Sequence, residues 1–190
     1  MTQTLIVMLK EPHPGRVKTR LGRDIGMVPA AWWFRHQVRR LLRRIEDPRW
    51  QVVLSVSPDA EGLRSRIWPA HLPRLPQGRG DLGDRMARML RAAGGGPACV
   101  IGADIPGITR THIAQAFAVL GAKDAVFGPA DDGGYWLIGL RHPVRQPTGF
   151  LKGVRWSTEY ALGDTVATLP DYRIARIATL RDVDTADDLF

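Results

Sequence analysis

The stretch "ACVIGAD", residues 98–104, decides how this chain is built. It is a short apolar run, bounded by "GGGP" at 94–97 and by Pro106 and Gly107, and it ends on an aspartate. A run this short between turn signals cannot make a helix with a polar face, so it predicts a strand covered on both sides, the central strand of a parallel sheet. Working outward, "TLIVML" (4–9), "QVVLSVS" (51–57), "DAVFGP" (124–129) and "GYWLIGL" (134–140) have the same character, with shorter strands expected in "PRLPQG" (73–78) and "YRIARIATL" (172–180). Helical patterns fill the gaps. One runs from Pro29 to Glu46, one over 59–67, one from Asp81 to the glycines at 94–96, one from Thr109 or Thr111 to Leu120, and one over 157–169 with Ser157 as its cap; a helical turn is expected in "DTADDL" (184–189). Strands alternating with helices predict a single-domain α/β three-layer sandwich around a mainly parallel sheet, with no linker or internal repeat.

Composition narrows the class. The 190 residues are 44% hydrophobic and 24% charged, ordinary values for a globular domain. No apolar run is long enough for a membrane span or a signal-peptide core, and a single cysteine, Cys99, excludes a disulfide framework; a cytoplasmic protein with a buried structural thiol is expected. The net charge is +8, almost all of it arginine. Its densest cluster, "RHQVRRLLRR" (35–44), alternates with Phe34, Val38, Leu41, Leu42 and Ile45 at helical spacing, so the arginines face outward. That face is either simply solvated or attracts phosphates, of nucleic acid or of a small nucleotide. Of Trp32 and Trp33, one is expected in the core.

In open α/β sheets ligands collect beyond the carboxyl ends of the strands, and the residues with chemical content lie there. The first strand runs into "KEPHPGRVKTRLG" (10–22), which matches neither GxxxxGK[ST] nor GxGxxG. Prolines stiffen it, Gly15 permits a bend, and Lys10, Arg16, Lys18 and Arg20 supply the cations that a triphosphate or pyrophosphate needs. Asp104 follows the central strand and points into the crevice, where a carboxylate either holds Mg2+ or Mn2+ or caps the next turn. Asp184, in "RDVDTADDL", is a second metal-ligand candidate among neighbouring acids that equally suit a helix start. Asp131, Asp132, Gly133 and Gly134 form either a plain hairpin or a place where backbone and carboxylate meet a sugar or base, with Tyr135 and Trp136 adding flat surfaces. By strand alternation only one of those two rings faces the crevice.

Taken in order, "KEPHPGRVKTRL", "LPQGRGDLGDRM", "IGADIPGI", "GPADDGGYWLIGL", "VRWST" and "DVDTADDL" resemble the DUF2064 family, also described as radical-SAM/selenodomain-associated transferase 1, a glycosyltransferase-A-type fold. The resemblance covers essentially the whole chain. It implies divalent-metal chemistry, with Mg2+ or Mn2+, on a nucleotide or nucleotide-sugar donor and an unknown small acceptor. It assigns Lys10, Gly15, Arg16, Lys18 and Arg20, with Gln77, Gly78 and Asp81, to the nucleotide and its phosphates. Asp104 and, less closely matched, Asp184 go to the metal, while position in the chain places Asp131, Asp132, Gly133, Gly134, Tyr135 and Trp156 on the acceptor or sugar side. Lys18, Asp104 and Asp132 would carry catalysis, and Asp104→Asn is expected to weaken metal-dependent binding while stability holds or rises. One acid in "ADIP", where many glycosyltransferases carry Asp-x-Asp, weakens the glycosyl-transfer reading against nucleotidyl transfer. The alternatives are a basic nucleic-acid-binding module, against which no RNP, KH or helix-turn-helix pattern is present, and a nucleotide-binding member of the fold without activity.

Overall fold

The computed structural model describes residues 2–183, 185 and 188. Seven strands form one sheet in the order β3-β2-β1-β4-β6-β5-β7. β1 (Gln3–Lys10) lies parallel to β2 (Trp50–Ser57) on one side and to β4 (Ala98–Gly102) on the other. β3 (Arg74–Pro76) extends the sheet beyond β2. β6 (Tyr135–Leu140) runs antiparallel between β4 and β5 (Ala125–Pro129), and β7 (Ile174–Arg176) pairs parallel with β5. Because β6 is reversed, its first residue stands at the edge where β1, β4 and β5 end. That edge gathers the functional candidates.

The faces follow the period-two alternation of the strands. On one side Leu5, Val7, Leu9, Leu54 and Ile101 pack under α2 (Met27–Ile45) and α5 (Arg110–Val119). Phe34, Val38, Leu41, Leu42 and Ile45 of α2 are buried, so the helical spacing read from the sequence is the buried stripe. On the other side Ile6, Val100, Phe127 and Ile138 meet Met86, Met89 and Leu90 of α4 (Leu82–Ala92). Asp81 and Asp84 close α4 with a capping box, the Asp81 carboxylate accepting from the Asp84 N–H at 2.8 Å. Thr109 caps α5. Cys99 is fully buried, and burial pushes its thiol well above the ordinary range, which makes it a packing residue. Trp33 packs against the core, whereas Trp32 is 58% exposed.

Four elements differ from the sequence expectation. The first loop is shorter, because residues Thr19–Ile25 form α1, with Lys18 at its start and Leu21 fully buried. The helix expected over 157–169 is only α6 (Ala161–Ala167); Ser157 is not its cap but sits in the left-handed region with φ 60°, which keeps it outside any helix. The last strand shrinks to Ile174–Arg176, beyond which Ile177 and Leu180 keep only single backbone bonds to Phe127 O and Pro129 O. α3 (Asp59–Arg64) ends earlier than its expected span. The helical turn expected at 184–189 falls largely outside the described residues.

Candidate active site at the carboxyl edge of the sheet

The loop after β1 is anchored from below by a residue the sequence did not single out. Glu11 is 5% exposed, and its carboxylate accepts from Trp68 Nε1 at 2.7 Å and from Ser65 Oγ at 3.0 Å. Its backbone N–H donates to Ser57 O, which ties the loop to the end of β2. The loop then turns, Arg16 N–H donating to His13 O at 3.0 Å, and Val17 is buried. With Val17 fixed inward, Lys18 takes the left-handed conformation, φ 44° and ψ 49°. Such a backbone costs a non-glycine residue roughly 1–3 kcal/mol and persists where surroundings over-determine it.

That conformation brings the Lys18 side chain, 6% exposed, to the end of β4, where Nζ lies 2.9 Å from Asp104 Oδ2. Asp104 is the more open partner, at 38%. Sequence reading gave these residues separate jobs; the fold makes them one charged unit. Lys10, Gly15, Arg16 and Arg20 are exposed around it.

Beside the pair lies a cavity of about 220 Å³. Its floor is apolar, from Met8, Val100 and Ile138, with Leu82 and Met86 of α4 at one wall. Asp104, Asp132 and Asp182 line it, together with Tyr135, Trp156, Ser157 and Thr158. Asp132 is held by its own turn, Oδ1 accepting the Gly134 N–H at 2.9 Å. Gly133 completes that turn at φ 84°, and a Cβ there would stand 2.3 Å from Glu159 O; only glycine lets the 130–134 turn rest on the 157–162 segment. Asp131 is exposed and does not line the cavity.

The two rings take opposite faces of the sheet as strand alternation requires, but both border the cavity, so the expectation that only one would reach the crevice is not met. Trp136 is 1% exposed and donates Nε1–H to Ala178 O at 2.9 Å, while Tyr135 turns to the opposite core, edge-on to Phe127. Burial pushes the Tyr135 phenol above its ordinary range and outweighs the opposing hydrogen bond that Thr165 donates to its oxygen at 3.3 Å, so this hydroxyl is protonated at neutral pH. Trp156 packs over Gly83 of α4, where a Cβ would come within 2.8 Å of the indole. Its Nε1 is buried without a hydrogen-bond partner. Ser157 follows in its left-handed conformation, so of the three non-glycine residues with positive φ among the described residues, Lys18 and Ser157 belong to this site. The segment is braced by Arg155, whose guanidinium grips Asp164 with both Nε and Nη2, at 2.8 and 2.9 Å. This fork holds the Asp164 carboxyl down at about 2.

Three residues assigned to the nucleotide have other partners. Gln77 is 4% exposed and spends its amide on the carbonyls of Leu9 and Ser55. Asp81 caps α4. Gly78 turns at φ 74° and donates its N–H to Asp59, while Arg88 bonds the carbonyls of Gln77 and Arg79. These contacts shape the 77–81 loop from within. Asp184 lies outside the described residues. Asp182, which the sequence marked only as its neighbour, lines the cavity.

Among the described residues no three His, Cys, Asp or Glu side chains gather closely enough to enclose a metal ion. The donors on the wall are carboxylate oxygens, which suit Mg2+ or Mn2+; such ions take one or two protein carboxylates and fill their remaining positions with water and phosphate oxygens.

Comparison with known proteins identifies the fold and the family. The crystal structure of a "putative nucleotide-diphospho-sugar transferase" from Desulfovibrio desulfuricans G20 is 30% identical, covers 100% of this chain and 85% of its own, and superposes with a TM-score of 0.89. The fold alone is shared with Rv0371c from Mycobacterium tuberculosis H37Rv in complex with manganese, at 16% identity, TM-score 0.58, and coverage of 100% and 96%. It is shared also with a CMP:2-keto-3-deoxy-manno-octonic acid synthetase complexed with CTP, at 10% identity, TM-score 0.60, and coverage of 100% and 95%. A search of curated proteins finds no match. The sequence model of the family described as "Uncharacterized protein conserved in bacteria (DUF2064)" matches residues 41–158, and with most of the domain so matched, this chain belongs to the DUF2064 family.

Proposed function

We propose that this protein is a transferase acting on a nucleotide-activated substrate, a nucleoside triphosphate or a nucleotide sugar, with Mg2+ or Mn2+ as its cofactor. The observation that carries the reading is the Lys18–Asp104 pair, 2.9 Å apart where β1 and β4 end, beside a cavity with an apolar floor. A charged edge beside an apolar floor suits a site that brings an anionic donor to an uncharged acceptor.

In this reading Lys18 and the exposed Arg16 and Arg20 bind the donor phosphates. Lys18 is pre-set by its backbone, so little is lost in ordering it. Asp104 would hold the cation, with Asp132 and Asp182 as the other carboxylates on the cavity wall; the cation's chemistry there is to neutralise charge on the phosphates. Transfer of this kind depends on positioning and electrostatic stabilisation more than on a covalent intermediate. Asp132, its carboxylate already aimed by the Gly134 N–H, accepts from an acceptor hydroxyl and is placed to take its proton. Tyr135, protonated and anchored, serves as a wall and donor, not a base. Trp156 and Ser157 close the acceptor end.

The test is a binding and turnover screen of the four nucleoside triphosphates and common UDP- and GDP-sugars with magnesium or manganese. A double variant, Arg16→Ala with Arg20→Ala, accompanies the wild type. Each charge-assisted bond lost should cost about 1.5–3 kcal/mol, tenfold or more in affinity. Unchanged nucleotide affinity in the folded variant overturns the phosphate assignment.

A further inference from the structure

A second cavity, of about 420 Å³, lies on the far side of α4 from the candidate active site. Asp84, Ala87, Arg88 and Arg91 recur at helical spacing along that face, and the 146–152 segment folds over them, so the stripe lines a hollow and not an open surface. Three cations, Arg88, Arg91 and Lys152, stand on its walls against one carboxylate, Asp84, which Lys152 already engages. The guanidiniums of Arg88 and Arg91 therefore remain as the charge excess of the hollow.

Both are held in place by partners that leave donors over. Arg88 reaches past the helix to the carbonyls of Gln77 and Arg79, the latter at 2.8 Å. Arg91 Nη2 donates to Gln146 Oε1 at 2.7 Å, and Gln146 is itself fixed by donating to Ala87 O at 2.8 Å. Five N–H donors per guanidinium exceed these contacts, and an ammonium has three. The exposed Thr148 hydroxyl lies on the same wall. A concave surface with fixed cations raises the local concentration of anions, and a planar fork matches phosphate oxygens pairwise.

We propose that this hollow is an anion site separate from the transfer site, taking a small phosphate-bearing anion, free or as the phosphate of a small metabolite, on Arg91, Lys152 and Arg88. The proposal does not depend on the nucleotide reading of the first site.

The experiment titrates inorganic pyrophosphate into the full chain by calorimetry, at constant ionic strength and without divalent metal. It compares the wild type, an Arg91→Gln/Lys152→Gln variant and the first-loop variant Arg16→Ala/Arg20→Ala, with circular dichroism as the check on folding. The Arg91/Lys152 pair should remove one saturable equivalent, or weaken it at least tenfold, and the first-loop variant should leave that equivalent unchanged. Repeating the titration with inorganic phosphate and with a sugar phosphate distinguishes the free ion from a metabolite. Binding that is untouched by the Arg91/Lys152 change, or no saturable binding outside the first loop, overturns the proposal. Loss of an equivalent only in the first-loop variant would support the transfer site and refute this one, so the two readings fail separately.

Discussion

Replacing Asp104 by asparagine keeps the shape of the side chain and removes one charge. On sequence grounds a carboxylate waiting for a metal should be relieved by this change. The structure reverses the expected sign, because Oδ2 faces the Lys18 ammonium at 2.9 Å and the Lys18 side chain is 6% exposed. At that separation and an effective dielectric near 20 the pair attraction is about 6 kcal/mol gross. Asp104 is 38% exposed, so solvent screens much of it, and an amide oxygen still accepts from the ammonium. A net loss of about 1–3 kcal/mol follows, less than the cost of breaking a fully buried pair. For a chain of this length that lowers the melting temperature by several degrees. The assay is urea unfolding at neutral pH with chelator present, on the wild type, Asp104→Asn, Lys18→Met and the double variant. A coupling energy above about 1 kcal/mol, with the double variant more stable than the sum of the singles predicts, is the expected result. If Asp104→Asn is as stable as the wild type and the cycle shows no coupling, the pair is not a structural unit and the charged end of the site is wrongly built.

Gly133→Ala should destabilise by about 2–4 kcal/mol, since the new methyl meets the Glu159 backbone at 2.3 Å on a residue at φ 84°, whereas Gly153→Ala, at φ 71° with nothing within 4 Å, should cost only about 1 kcal/mol. Equal costs in thermal melts would mean that the turn does not rest on that backbone. Acid should uncover the arginine forks. Arg49, Arg173 and Arg155, chiefly through side-chain hydrogen bonds, hold Asp47, Asp124 and Asp164 at about 2, below the ordinary 3.8. A depressed carboxyl stabilises the fold fully above its unfolded value and loses that contribution as pH falls through the folded one. The stability gap between wild type and Arg155→Met should therefore be present at pH 6 and close between pH 4 and pH 2; a gap independent of pH in calorimetric melts refutes the assignment.

The sequence by itself determined the layers. Strand runs such as 4–9 and 98–104 carry their burial in their composition, and α2 and α4 carry theirs in the spacing of Phe34, Val38 and Leu41 or of Met86, Met89 and Leu90. The Asp81 cap, and Thr109 as one of two candidates with Thr111, were legible because capping is a bond to a backbone N–H a few residues away. Even the split of Tyr135 and Trp136 follows from strand period alone. What pattern cannot carry is a contact whose partners are joined only by the order of strands. Lys18 meets Asp104 because β1 and β4 are neighbours that end at one edge. Glu11 is buried because Trp68 and Ser65 reach it from beyond β2, and Gln77 turns inward because β3 places it over the carbonyls of β1 and β2. The reversal of β6 brings Asp132 to the cavity, and the left-handed Ser157 shortens the last helix so that Trp156 can lie over Gly83. Local periodicity fixes which face a residue takes. Only the tertiary arrangement fixes what stands opposite, and the charge, burial and reach of that partner decide what the residue can do.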